Sequence, residues 1–150
     1  MLAVGDTAPE FALPDEDGNT VALSTLRAAG PVVVFFYPRD FTPVCTREAC
    51  MMRDAHAELT AAGLTVVGIS ADSVSSHARF RERHSLPYRL LADEDKRTIK
   101  AYGVDGPLGF GVRRATFLIG ADGRVQDVVN AALRIGKHAA LVRRALAAAR

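Results

Sequence analysis

The sequence predicts an α/β protein, with a mixed central sheet flanked by helices and an N-terminal β-hairpin. Short apolar runs rich in β-branched residues, typical of buried strands, occur at 32–36 and 64–70. Each run is followed by a segment whose apolar residues recur at helical spacing. Later, 115–119 and 125–129 flank Ala121-Asp122-Gly123, the pattern of a β-hairpin. This alternation favours a sheet with helices on both faces.

Turn-forming and helix-capping residues mark where the elements of the N-terminal part begin and end. Pro9 and Pro14 break any helix, so a short strand before the turn cluster 15–19 can pair with a second strand after it. The acidic turn lacks the remaining ligands of an EF-hand, and we expect only a turn there. The predicted elements are a strand at 20–23, a helical turn at 24–29 that ends at Gly30-Pro31, the strand at 32–36, and a helix from Pro43 to Ala62 closed by Gly63.

The rest of the chain continues the alternation. Asp72 or Ser73 can cap a helix that runs to His84, and its charged segment 79–84 is interpreted as a solvated face rather than a nucleic-acid patch. The glycine-rich segment 106–111 is interpreted as a flexible connection, because it does not join a strand to a helix. The remaining predicted elements are strands at 64–70, 88–92, 115–119 and 125–129, and helices at 93–102 and 138–150.

Length and composition limit the classes of function. The 150 residues, of which 49% are hydrophobic, are expected to form one domain, 1–150, with a core that needs no disulfide staples. A net charge of +2 gives no reason to expect nucleic-acid or membrane partners. The N-terminus lacks the pattern of a signal peptide, and no run approaches the ~18 apolar residues of a membrane span. Two cysteines in such a chain favour a reducing compartment, so a cytoplasmic protein is expected.

The chemistry is predicted to centre on Cys45. Thr42 is a good N-cap and Pro43 suits the first helical position, so Cys45 falls in the first turn of the predicted helix. The helix dipole and the unpaired backbone N–H groups favour a negative charge there, and therefore the thiolate. Arg39 and Arg47 are close in sequence and could add positive charge. The sequence therefore predicts a poised nucleophile.

Cys50 is the second thiol of the chain. On one straight helix, Cys45 and Cys50 are about 140° apart around the axis and roughly 7.5 Å apart along it. Their Cα atoms are then roughly 8–9 Å apart, beyond the ~4.4–6.8 Å that a disulfide tolerates. A bond between them requires the first helical turns to unwind. This geometry disfavours a structural disulfide and suits a redox cycle with two backbone states.

The cysteine region closely resembles the peroxiredoxins. Their signature, Pro-x-x-x-Thr-x-x-Cys, is matched by Pro38, Thr42 and Cys45, and the second cysteine five residues on resembles the bacterioferritin-comigratory-protein (PrxQ) subfamily. Three further segments extend the resemblance through most of the chain: 5–11, 90–93 and 114–119. The resemblance implies a thioredoxin-like fold.

The resemblance also implies a thiol-dependent peroxidase of antioxidant defence that reduces hydrogen peroxide and organic hydroperoxides without a cofactor or metal. The Cys45 thiolate would attack the peroxide and become a sulfenic acid. Cys50 would then resolve it as an intramolecular disulfide, which thioredoxin, or alternatively glutaredoxin, would reduce. The subfamily resemblance favours a monomer.

Three further site residues follow from the same resemblance. Thr42 would orient the peroxide through its hydroxyl group, and Pro38 would shield the pocket from water. A family arginine would hold the thiolate and the peroxide oxygens. The family spacing Arg-x-Thr-Phe selects Arg114, and Arg113 would point to the opposite face of an extended chain.

Two departures from the family pattern bear on the cycle. Val44 stands where glycine is common, and it could stiffen the turn that must unwind, which would slow disulfide formation. The glycine-rich loop at 105–113 is also shortened. Glu48 matches a common family position, and a helix-surface acid is the alternative interpretation.

Three other functions remain open. A dithiol reductase would need Cys-x-x-Cys, and the four-residue spacer disfavours it. A metal-binding module could use Cys45, Cys50 and His56, but the spacing is irregular and a fourth ligand is lacking. All four histidines are interpreted as surface or supporting residues. A redox sensor or chaperone whose helix unwinds on oxidation would use the same cysteines, and only turnover with a reductant separates it from a peroxidase.

Overall fold

The computed structural model describes residues 1–149 and contains a five-stranded sheet and a separate two-stranded sheet. The predicted N-terminal hairpin is present as the smaller sheet. The elements are β1 (Ala12–Pro14), β2 (Thr20–Ala22), α1 (Leu23–Ala28), β3 (Val32–Phe36), α2 (Pro43–Ala61), β4 (Thr65–Ser70), α3 (Val74–His84), β5 (Arg89–Ala92), α4 (Arg97–Ala101), a 3-10 turn (Pro107–Gly109), β6 (Ala115–Ile119), β7 (Val125–Asn130) and α5 (Ile135–Ala148).

The strand order of the main sheet is β5-β4-β3-β6-β7. β3, β4 and β5 run parallel, whereas β6 runs antiparallel to both β3 and β7. The antiparallel register pairs Phe36, at the end of β3, with Ala115, at the start of β6. Residues that follow β3 and residues that precede β6 therefore meet at the same edge of the sheet.

The core lies on both faces of the sheet, and β3 is buried along its whole length. Successive side chains of a strand point to opposite faces. One face packs against α1 and α4, and the other packs against α2, α3 and α5. From β3, the first face receives Val32, Val34 and Phe36, and the second receives Val33 and Phe35, followed by Tyr37.

Helix α4 is shorter than the predicted helix at 93–102. Lys96 has a left-handed backbone, with φ of 60°, and the helix begins only at Arg97. The Asp93 carboxylate accepts hydrogen bonds from the N–H groups of Thr98 (3.3 Å) and Ile99 (2.7 Å). Asp93 therefore satisfies the first turn of α4 from outside the helix, in the manner of a remote cap.

The C-terminal helix α5 begins at Ile135, three residues before the predicted start at His138. Arg150, the last residue of the predicted helix, lies outside the described residues. The glycine-rich connection contains a short 3-10 turn and a bridge between Asp105 and Val112. Among residues 1–149, no helix has the length and apolar character needed to cross a membrane.

Gly68 in β4 gives a test of the core packing. A Cβ atom at this position would lie 2.8 Å from Cζ of Phe35 and 3.0 Å from Cδ2 of Leu90. Gly68→Ala should lower the free energy of unfolding by about 1–3 kcal/mol, because the buried neighbours must shift. Urea denaturation followed by circular dichroism measures the change.

The matched control is Gly136→Ala near the start of α5. An added Cβ there meets no atom within 4 Å, and alanine favours a helix, so stability should stay the same or rise by up to about 1 kcal/mol. Equal destabilisation by both substitutions would contradict this account of the packing at Gly68.

Candidate active site

Cys45 lies in the first turn of α2, as the sequence predicts. Thr42 is the N-cap with an extended backbone, Pro43 is the first helical residue, and Cys45 is buried with 1% of its surface exposed. The first intrahelical hydrogen bond runs from the Thr46 N–H to the Thr42 carbonyl, at 2.8 Å. The N–H groups that precede it have no intrahelical acceptor, so the positive end of the helix lies at Cys45.

The hydroxyl group of Thr42 is not used to cap the helix. It makes no capping hydrogen bond and instead donates to the carbonyl oxygen of Arg39 at 2.9 Å. The hydroxyl oxygen can still accept a hydrogen bond from a ligand. The interpretation of Thr42 as a capping side chain is therefore wrong, although its position at the N-cap is confirmed.

Arg114 is brought directly to Cys45. It is 6% exposed, and its Nη2 donates to the Sγ atom of Cys45 at 3.1 Å. Its Nη1 donates to Oε1 of Glu48 and its Nε to the carbonyl of Ala132, both at 2.8 Å. Burial opposes the guanidinium charge, but the hydrogen bonds to Cys45 and Glu48 outweigh it and raise the pKa of Arg114. A fixed cation at the sulfur favours the thiolate.

The alternating directions of an extended chain separate the two candidate arginines. Arg113 is exposed, whereas its neighbour Arg114 is buried against Cys45. The antiparallel pairing of β6 with β3 explains this placement, because residues before β6 reach the edge where β3 ends. The family spacing thus selected the arginine that contacts the cysteine.

Glu48 lies beneath Arg114 and is fully buried. The alternative of a helix-surface acid is therefore wrong. Burial raises the pKa of Glu48 to about 7, although Arg114 opposes this shift. Oε1 pairs with Arg114, whereas Oε2 has no hydrogen-bond partner among residues 1–149 and lies 3.4 Å from Nδ1 of the buried His138. His138 is a supporting residue beneath the site.

An open pocket of about 510 Å³ borders the buried arginine. Pro38 lies on its edge, exposed, in the loop between β3 and α2. Phe110 is 76% exposed on the same pocket. Its further lining residues are Gly106, Pro107, Gly111, Val112, Arg113, Arg114, Asn130 and Ala132. A substrate with an apolar part could therefore reach the vicinity of Arg114.

Asp40 anchors the loop between β3 and α2, a role that the sequence did not predict. Its Oδ1 accepts from the Tyr37 hydroxyl at 2.6 Å, and its Oδ2 lies 2.7 Å from Nδ1 of His77. The Asp40 N–H donates to Oδ2 of Asp72 at 2.9 Å, and the next residue, Phe41, has φ of 67°. These contacts fix the backbone between Pro38 and Thr42 in a conformation that is otherwise costly.

One feature of the sequence indicates that His77 is buried. His77 and Phe80 are three residues apart on a mostly polar helix, so they share a face of α3, and both are fully buried. Asp40, Asp72 and His77 also form a group of the kind that can hold a metal ion. The carboxylate oxygens of Asp40 already accept hydrogen bonds, including one from Ser76. This cluster fits an anchor for the loop better than a metal site.

The structure does not support the metal-binding module that the sequence left open. Within residues 1–149, Cys45, Cys50 and His56 do not bring their ligand atoms together. Cys45 and Cys50 are both free and both belong to the continuous helix α2, with Cys50 partly exposed. Helical geometry then separates their Cα atoms by roughly 8–9 Å, so a disulfide requires the start of α2 to unwind.

Comparisons with known sequences place this site in a family. The AhpC/TSA family matches residues 4–128. Peroxiredoxin Bcp of Escherichia coli K12 is 43% identical over 133 residues, which cover 85% of each chain. The chloroplastic peroxiredoxin Q of Oryza sativa subsp. japonica is 42% identical over 139 residues, or 91% of this chain. The chain spans 63% of the length of that rice relative.

Solved structures agree with the sequence comparisons. Peroxidoxin BcpB from Mycobacterium tuberculosis superposes with a TM-score of 0.93 and 40% identity, covering 100% of this chain and 99% of that one. Peroxiredoxin Q from Xanthomonas campestris gives a TM-score of 0.84 and 31% identity, covering 93% and 92%. These likenesses confirm the predicted thioredoxin-like fold and the resemblance to Bcp and PrxQ peroxiredoxins. The chain belongs to the AhpC/TSA family.

Proposed function

We propose that the protein is a thiol-dependent peroxidase whose nucleophile is Cys45. The observation that carries this proposal is the 3.1 Å contact between Nη2 of Arg114 and Sγ of Cys45, at the N-terminus of α2. A nucleophilic thiol must be ionised, and a helix start together with a buried guanidinium supplies the positive field that ionisation needs.

The first step is a two-electron oxidation of the sulfur. The Cys45 thiolate attacks the terminal oxygen of a hydroperoxide, the S–O bond forms as the O–O bond breaks, and the leaving alkoxide or hydroxide takes up a proton. The product is a cysteine sulfenic acid and an alcohol or water. Arg114 stabilises the charge that passes from sulfur to oxygen, Thr42 orients the peroxide by accepting its hydrogen bond, and Pro38 shields the pocket from water.

The second step uses Cys50. Its thiolate attacks the sulfenic sulfur of Cys45, the S–S bond forms as the S–O bond breaks, and the departing hydroxide takes up a proton to give water. Because both residues lie on α2, the first turns must unwind before the sulfurs can meet. Val44 lies in the part that unwinds and stiffens it. A dithiol protein such as thioredoxin, or glutaredoxin, then returns the pair to two thiols.

Hydrogen peroxide and organic hydroperoxides are both proposed as substrates. The pocket beside Arg114 offers the exposed ring of Phe110 to an alkyl group. A related structure, that of the Xanthomonas campestris bacterioferritin comigratory protein, is described in terms of alkyl peroxide reduction. It is 30% identical to this chain and supports the second class of substrate.

We infer a cytoplasmic monomer that serves in antioxidant defence as a single domain, without cofactor, metal, nucleic acid or membrane partners. The net charge of +2 supports the absence of a polyanionic partner. The bacterial Bcp relatives support the cytoplasm, whereas other relatives are chloroplastic.

The two-cysteine cycle can be tested by mass spectrometry of the intact, alkylated protein. Reduced protein treated with one equivalent of hydrogen peroxide should lose both alkylatable thiols while its intact mass stays monomeric. Cys50→Ser should stop at the sulfenic acid of Cys45, because no second thiol remains in the chain. Two alkylatable thiols after peroxide would contradict the proposal. Turnover with thioredoxin, thioredoxin reductase and NADPH then separates a peroxidase from a redox sensor.

Arg114 and its neighbour form a matched pair for mutagenesis. Arg114→Lys should lower the second-order rate constant for peroxide by at least roughly 100-fold, since one preorganised donor at the reacting charge is lost. Arg113→Lys changes an exposed side chain and should leave the rate constant for hydrogen peroxide within about twofold, because this peroxide has no alkyl part to contact the pocket that Arg113 lines. Stopped-flow measurement of peroxide consumption gives the rate constant of each variant. Similar losses of rate in both variants would refute the assignment of Arg114.

The role of Thr42 depends on its hydroxyl oxygen. Thr42→Val should slow the reaction with peroxide by roughly 10–100-fold, the loss expected for one hydrogen bond to a reacting group. Thr42→Ser keeps the oxygen and should retain most of the rate. An equal rate for the valine and serine variants would show that the hydroxyl group does not orient the peroxide.

A further inference from the structure

Glu48 and His138 form a buried pair beneath Arg114. Glu48 lies on α2 and His138 on α5, which packs against α2, and both side chains are fully buried. Oε2 of Glu48 lies 3.4 Å from Nδ1 of His138 and has no hydrogen-bond partner within residues 1–149. A buried polar atom without a partner is unusual and calls for a physical explanation.

The contacts of His138 show where its hydrogen atom resides. Nε2 lies 2.9 Å from the carbonyl of Ala131, which can only accept, so Nε2 carries the hydrogen. Burial lowers the pKa of His138, with a further contribution from Arg114, and favours the neutral ring. Nδ1 is then a bare acceptor, and the Thr116 hydroxyl, 2.7 Å away, can donate to it.

A bare Nδ1 beside an ionised Glu48 would place two sets of lone pairs 3.4 Å apart in a buried site. A proton on Oε2 removes this repulsion and gives Nδ1 a second donor. The burial that raises the pKa of Glu48 to about 7 acts in the same direction. The geometry thus provides a place for one proton between α2 and α5.

We propose that Glu48 and His138 hold one exchangeable proton, and that this proton sets how strongly Arg114 stabilises the Cys45 thiolate. His138 is then a positioning residue, because it acts on the reacting sulfur only through Glu48 and Arg114. This inference rests on the proposed function, in which Cys45 is the reacting thiol.

Arg114 links the proton to the sulfur. Its Nη1 donates to Oε1 of Glu48 at 2.8 Å and its Nη2 to Sγ of Cys45 at 3.1 Å. When Glu48 is ionised, the guanidinium charge is shared by two anions, and the carboxylate also repels the thiolate. When Glu48 is protonated, the guanidinium serves the thiolate alone. Loss of the proton as the pH rises therefore weakens the stabilisation of the thiolate.

Among the described residues, Tyr88, which precedes β5, also interacts electrostatically with Glu48. Its hydroxyl donates to the carbonyl of Ala49 at 2.7 Å. Burial, with a contribution from the charge of Glu48, raises the pKa of Tyr88 well above its usual value, so the phenol stays neutral. With Arg114 permanently charged, Glu48 and His138 are the two groups of this buried network whose protonation can change.

The test is the pH profile of Cys45 alkylation by iodoacetamide between pH 5 and 9, measured in a Cys50→Ser background. The parent protein should give a rise broader than a single ionisation, because Glu48 loses its proton within the same range. Adding Glu48→Gln, which is always neutral, should give one ionisation with its midpoint lowered by about one pH unit.

His138→Asn should act in the opposite direction. Its amide can donate to Oε2 and so stabilise ionised Glu48, which should raise the midpoint by about one pH unit and sharpen the profile. His56→Asn is the matched control, since it makes the same substitution on α2 away from Glu48, and it should keep the parent profile. Circular dichroism verifies folding.

A second variant covers the case in which His138→Asn does not fold. Thr116→Val removes the hydroxyl that competes for Nδ1, so Glu48 should hold its proton more firmly and the midpoint should fall towards that of Glu48→Gln. A parent-like profile for Glu48→Gln, or for the folded variants at His138 and Thr116, would overturn the inference. Failure of the wild-type protein to consume peroxide, with shifted profiles, would overturn the proposed peroxidase alone.

Discussion

The buried guanidinium of Arg114 is the charge around which the site is arranged. A buried cation is tolerated only when its donors are paired, and removing one partner of a buried pair typically costs about 3–5 kcal/mol. Here the donors are directed to the Ala132 carbonyl, to Glu48 and to the sulfur of Cys45. The sulfur of Cys45 thus lies against a buried charge, and in the proposed reaction the same atom is the nucleophile. The contact between Arg114 and Cys45 therefore bears both on the stability of the fold and on the proposed reaction.

The loop between β3 and α2 depends on a second set of contacts, which Asp40 makes. Phe41 has a left-handed backbone, which for a bulky residue costs of order 1–3 kcal/mol. Asp40 compensates by bonding to Tyr37 and His77, both buried in the core. With the loop fixed in this way, Thr42 keeps its hydroxyl on the Arg39 carbonyl and leaves the helix start open. The strained residue lies four positions before Cys45 in the chain, and His77, one of the side chains that hold Asp40, lies on α3.

Patterns that depend on near neighbours predicted much of this architecture. The apolar run of β3 and the proline and glycine that bound α2 located both elements to within a residue or two. The choice of Arg114 over Arg113 came instead from the spacing of the family that the sequence resembles. The spacing of His77 from Phe80 indicates burial but not the partner of His77, and nothing local indicates that His138 is buried. Their partners, Asp40 and Thr116, are 37 and 22 residues away, and no local periodicity encodes such contacts. The late start of α4 likewise depends on the side-chain contacts of Asp93.

The contact between Arg114 and Cys45 joins residues 69 positions apart in the chain. It forms only after β6 has paired with β3, so a nascent chain that has not yet folded carries an ordinary cysteine. The same holds for a molecule whose sheet has opened through damage. In the proposed mechanism, activation of Cys45 is thus confined to the completed fold, and an unfolded copy lacks the activated thiolate that is prone to irreversible over-oxidation.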